Sequence, residues 1–120
     1  METQNSKQYG LEERTFKFAK NCRTLIKQLS KTTGNIEDSK QLARSSGSVH
    51  ANFIEAVEAL SKKDFYYRIK ICRKEAKESR SWILLIEVTE KHILEEKQKD
   101  LAQEALELTR IFGSILEKGK

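Results

Sequence analysis

Four blocks of apolar residues recur along this chain at helical spacing, each followed by a short polar or turn-forming break. From Leu11 to about Lys31, residues Leu11, Thr15, Phe18, Cys22, Leu25, Ile26 and Leu29 share one face at the i, i+4, i+7 step, and Thr32-Thr33-Gly34 closes the block. Asn35 is suited to cap a second helix, with Glu37 and Asp38 in a first turn where the macrodipole favours negative charge. Leu42, Ser46, Val49, Phe53, Val57 and Leu60 line its inner side, and the helix is expected to end near Leu60. Ser61-Lys62-Lys63-Asp64 has the form of a capping box and predicts a break with an immediate restart. The third helix turns Phe65, Ile69, Cys72, Ala76, Ser79, Ile83 and Ile86 inward, and is expected to run unbroken to Lys91 and His92, cations suited to a helix C-terminus. In the last block Leu94, Leu101, Ala105, Leu108, Phe112 and Ile115 follow a near-heptad pattern that stops around Gly119.

Four amphipathic helices of roughly 20 to 28 residues, each about 30 to 40 Å long, joined by short connections, must run antiparallel to their neighbours. The predicted class is all-α, an antiparallel up-down-up-down four-helix bundle over residues 11–118. Residues 1–10 are polar and aperiodic, and are expected as a flexible N-terminal tail. Composition agrees with long helices: 34% of the 120 residues are charged, proline is absent and there are five glycines. The longest uncharged apolar run, Trp82 to Ile86, is far below the roughly 18 to 20 residues needed to cross a bilayer, and the N-terminus lacks the apolar centre of a signal peptide. No membrane partner and a cytoplasmic location are expected. Cys22 and Cys72 sit on inner faces without a C-x-x-C pair, which reads as two buried thiols.

Charge changes this picture at one place. Between Lys62 and Arg80 stand eight Lys or Arg against three acids, which equals the net +5 of the whole chain. Wound as a helix, Lys63, Lys70, Arg73, Lys74 and Lys77 fall within about 20 to 120 degrees of Lys62, with Tyr66 among them and Arg80 at the border. Such a stripe suits a polyanion: the cations neutralise successive phosphates while the aromatic stacks on an unpaired base. The plain alternative is a solvated helix face whose charge is offset by Glu75 and Glu78.

The same helix carries a second apolar strip, Tyr67, Ile71, Trp82 and Leu85, turned well away from the core. With Phe16 of the first helix it reads as a subunit contact, the alternative being deeper burial in the bundle. On the second helix Arg44, Ser48, Asn52 and Glu55 form a polar strip, placed for hydrogen bonds across a helix or subunit boundary; the alternative is a polar ligand pocket. His50 and His92 lack the neighbours that would close a metal shell, so no metal is expected. There is no phosphate-cradling glycine loop, no nucleophile beside a base and no pair of acids set in an apolar stripe. No catalytic residue is predicted, and the chain is not expected to be an enzyme or to hold a cofactor.

The run Gln41-Leu42-Ala43-Arg44-Ser45-Ser46-Gly47-Ser48-Val49-His50-Ala51-Asn52, with Glu55, Ser61-Lys62-Lys63-Asp64-Phe65, Lys74-Glu75-Ala76-Lys77-Glu78 and Trp82, resembles the four-helix-bundle proteins encoded in intervening sequences of 23S ribosomal RNA genes. Leu11-Glu12-Glu13-Arg14-Thr15-Phe16 extends the likeness into the first helix. The resemblance implies a bundle that assembles as a ring-shaped homopentamer, without established enzymatic activity and with a suggested role in nucleic-acid binding. Bundles of similar architecture act as basic accessory subunits of a reverse transcriptase in diversity-generating retroelements, which implies a protein partner as a second option. Two departures stand out: His50 where the family commonly has Gly, and Ser81 where an aromatic often precedes Trp82.

The expected function is therefore a non-enzymatic homo-oligomer that binds RNA or DNA through the basic stripe. The rival is an interaction or scaffold subunit with no direct nucleic-acid contact.

Overall fold

The computed structural model describes residues 2–88 and 92–120, with side chains described from residue 10 onward within those ranges. Four helices fill it: α1 (Glu2–Gln28), α2 (Thr33–Val57), α3 (Lys62–Leu85) and α4 (His92–Lys118). Consecutive helices pack side by side and α4 closes back on α1, while α1 with α3 and α2 with α4 stand across the diagonals. Cross-helix pairs fix the directions. Thr15 meets His50 and Arg23 meets Ala43 between α1 and α2, Ser45 meets Ser79 and Asn52 meets Arg68 between α2 and α3, and Arg14 meets Glu104 while Gln28 meets Lys97 between α1 and α4. In each case rising numbers on one helix meet falling numbers on the other, which is the antiparallel up-down-up-down bundle. Its long dimension is 47 Å, close to the length of its longest helices with their connections.

The inner faces read from the sequence form one core. Phe18, Cys22, Leu25, Leu42, Val49, Phe53, Ile69, Cys72, Ala76, Ile83, Ala105, Leu108 and Phe112 are buried, with Leu11, Ile26, Phe65 and Ile115 packed at its margins. Both thiols lie inside. Burial pushes Cys22 and Cys72 up to about 12, and the Cys72 thiol donates to the Val49 carbonyl across α2–α3. The closest helix pairing is α2 with α3, where small residues face each other and the buried Ser79 hydroxyl donates to Ser45 Oγ at 2.8 Å.

Several boundaries differ from the sequence reading. α1 starts at Glu2, so the backbone of residues 2–10, expected as a tail, is helical; once a helix is nucleated each added residue gains a backbone hydrogen bond, with no apolar stripe required. The cap of α2 is Thr32, whose side chain accepts from Asn35 N–H, and not Asn35 itself. α2 ends at Val57, which leaves Val57 exposed and Leu60 99% exposed rather than in the core, because residues 58–61 turn away at the bundle's end. Ser61 Oγ accepts from Asp64 N–H at 3.1 Å and starts α3 as the capping box predicts.

α3 stops at Leu85, with Ile86 in extended conformation; of the two expected C-terminal cations, His92 instead opens α4 and Lys91 lies outside the described residues. Side chains make the stop. Gln98 of α4 donates through Nε2 to the carbonyls of Ile83 and Ile86, groups that the end of α3 leaves without helical partners. Buried Asn35 donates to the carbonyls of Ser30 and Glu87 and accepts from Glu87 N–H, tying the α1–α2 connection to the segment after α3.

Candidate nucleic-acid interface

α3 winds without a break from Lys62 to Leu85, so the basic residues keep the helical register that joins them on one side. Lys62, Lys63, Lys70, Arg73, Lys74 and Lys77 are exposed, and Arg80 is half-buried at the edge of the row with its Nε buried and without a hydrogen-bond partner. Among the described residues none of these cations lies within ion-pair distance of a carboxylate. The two acids that were to offset the stripe point elsewhere. Arg44 of α2 draws them to the opposite flank, reaching Glu78 at 3.0 Å and Glu75, which is buried, at 3.6 Å. Asp64, the remaining acid of α3, sits in its first turn.

Tyr66 is not a free stacking platform. It is half-buried, Phe65 meets it edge-on with ring centroids 5.1 Å apart, and the Gly119 backbone covers it so closely that a Cβ there would fall 2.5 Å from Cε1. The face is thus electrostatic rather than aromatic. It also extends onto α4 and the residues after it, which the helical wheel of α3 did not include: Arg110 of α4 and Lys120 beyond its end line a groove with Lys70 and Arg73. A wheel describes one helix; only the α3–α4 register brings these cations together.

The polar and apolar strips lie on the other flank of α3. Besides the Arg44 contacts, Arg68 donates to Asn52 Oδ1 at 3.1 Å, and Asn52 donates to both the carbonyl and the hydroxyl of Ser48. Glu55 remains exposed. Beside this network Tyr67 is 57% and Leu85 59% exposed, whereas Ile71 and Trp82 are half-buried, and Trp82 packs on the core while donating to Glu78. Phe16, 51% exposed, does not join them. It stands edge-on to His50, 5.5 Å between centroids, on the α1–α2 flank, because His50 and Asn52 occupy opposite sides of α2.

Residues 7–114 match the family described as 23S rRNA-intervening sequence protein. The chain belongs to that family. A similar solved structure, a protein of unknown function from the S23 ribosomal protein family of Bacteroides thetaiotaomicron, is 29% identical, covers 92% of this chain and 98% of its own, and superposes with a TM-score of 0.78. No curated protein matches the chain. Among the described residues of this intervening-sequence protein no helix is long and apolar enough to cross a membrane, and no group of three metal-ligating side chains occurs.

Proposed function

We propose that this intervening-sequence protein is a non-enzymatic, self-associating bundle that binds RNA or DNA through the outward face of α3, by phosphate contacts with little base readout. One observation carries the reading: Glu75 and Glu78 are committed to Arg44, so Lys70, Arg73, Lys74 and Lys77 keep their charge uncompensated on a single exposed face. Exposed like charges on one rigid element repel one another and favour a polyanion that displaces its own counterions. Both family descriptions, 23S rRNA-intervening sequence and S23 ribosomal protein, are in keeping with a ribosomal polyanion as partner.

Changing Lys70, Arg73, Lys74 and Lys77 together to Ala is expected to weaken binding to unrelated sequences alike. It should also flatten the dependence of log affinity on log salt by roughly 0.7 to 0.9 per lost phosphate contact. Anisotropy titrations at several salt concentrations read both effects, and an unchanged affinity and slope would reject the face.

Self-association is supported by a separate feature. Exposed apolar side chains stand on two flanks of one chain, Tyr67 and Leu85 toward opposite ends of α3 and Phe16 on the α1–α2 flank. A head-to-tail ring joins unlike patches in this way, and the homopentamer implied by the family resemblance is one such ring. It would repeat the basic face around its circumference and multiply the electrostatic attraction. The same patches serve the alternative, an accessory subunit whose partner is another protein; that reading leaves the lysines of α3 expendable.

A further inference from the structure

The groove where α4 meets the basic face has a shape that narrows the ligand. Lys70 and Arg73 form one wall, Arg110 and Lys120 the other, and the groove between them is open to solvent, with a volume of about 610 Å³. Glu117 is the acid in this lining, and it is held by Lys120 at 3.0 Å. Lys70, Arg73 and Arg110 therefore face the groove with no carboxylate within ion-pair distance among the described residues. At Gly113 α4 offers no side chain, and the Arg73 guanidinium arm comes close enough that a Cβ there would lie 3.8 Å from its Nε. Arg73 thus reaches across from α3 toward the α4 wall.

Guanidinium groups on facing walls match phosphate oxygens, which accept paired N–H donors. Packed helices stand about 8 to 10 Å apart axis to axis, so the trough between them is the width of one sugar–phosphate chain, not of two. A duplex would ride on the crest of α3 and reach the walls one at a time. Cationic grooves that follow a backbone are the usual means of holding unpaired strands without regard to sequence.

We infer that the α3–α4 groove seats the phosphodiester backbone of an unpaired RNA or DNA strand, gripped from both walls, with Arg110 as the contact opposite Lys70 and Arg73. This rests on the nucleic-acid reading of α3 and adds to it a second helix and a strand preference.

The test compares the parent protein, Arg110→Ala, Lys63→Ala as a cation outside the groove, and the α3 quadruple variant. The probes are a labelled unstructured RNA of about 16 nucleotides and its duplex, and melting curves establish that each variant is folded. Arg110→Ala is expected to weaken the single strand about tenfold, the value of one charged hydrogen-bond contact, and the duplex less than about twofold, with Lys63→Ala affecting both alike and mildly. An Arg110→Ala protein that binds the strand as the parent does, while the quadruple variant has lost it, overturns the groove and leaves the α3 face standing. Equal affinity for strand and duplex with equal sensitivity to Arg110 overturns the strand preference. Indifference of both probes to the quadruple variant removes the underlying reading.

Discussion

At the scale of single residues, His50 shows how a polar side chain on one helix finds its partner on another. Its imidazole lies against buried Thr15, with Nδ1 3.0 Å from Oγ1. Thr15 Oγ1 also lies 3.1 Å from the Glu12 carbonyl, so the hydroxyl stands between the α1 backbone and the ring. Desolvation holds His50 below the ordinary histidine range, and the negative charge of Glu12 offsets part of that effect. A base whose folded pKa is depressed binds fewer protons than the unfolded chain does, so stability is constant above the unfolded value near 6.5 and declines as the pH falls through it toward the folded value. Urea unfolding midpoints of the parent should drop below about pH 6.5 more steeply than those of His50→Gln. Parallel curves for the two proteins would remove His50 as the source. None of this was legible in the sequence, where His50 is one polar residue on a helix and its partner lies on another.

At the scale of elements, the four helices were legible because each buries a stripe that repeats at the helical period, and the capping box at Ser61 was legible because it is local. Their ends were less so. The end of α3 depends on Gln98, and the linkage of two connections depends on Asn35, both of them contacts between residues distant in sequence. Asn35→Ala removes three hydrogen bonds, leaving the backbone of Glu87 to find other partners, and is expected to cost about 1 to 3 kcal/mol. Thermal or urea denaturation measures this, and a loss under about 0.5 kcal/mol would mean that water replaces the clasp. The first and last helices are joined partly by charge: Arg14 grips Glu104 with two nitrogens and also Glu107, contacts that raise the guanidinium above its ordinary range, while the hydrogen bond from Gln103, and after it that from Arg14, holds Glu107 below its own.

At the scale of the whole molecule, the bundle separates its surfaces by flank. The α3–α4 side is cationic, the α2–α3 side is a hydrogen-bonded network bordered by Tyr67 and Leu85, and the α1–α2 side carries Phe16. Tyr67 and Leu85 border the cationic row of α3, within about 20 degrees of Lys74 on the helix, so their substitution is read by particle mass and not by anion affinity. Tyr67→Glu combined with Leu85→Lys is expected to reduce the particle mass measured by light scattering while the isolated bundle keeps its helical circular dichroism. These positions make a fairer test than Trp82, whose indole also packs on the core. A mass equal to that of the parent would exclude the flank as a subunit contact.

Apolar periodicity by itself determined the class of fold, the number of helices and nearly all of the core, since a helix must bury its oily stripe and short links leave antiparallel neighbours as the way to do it. The charge of α3 was equally plain, because residues three and four apart on one helix always share a side. Tertiary structure alone decided what that charge means. Pairing of α2 with α3 took Glu75 and Glu78 away from the stripe, and pairing of α3 with α4 covered Tyr66 and added Arg110 and Lys120. Those outcomes turn on the relative register of two helices, which is set by how their side chains interlock and has no signature within either helix taken alone.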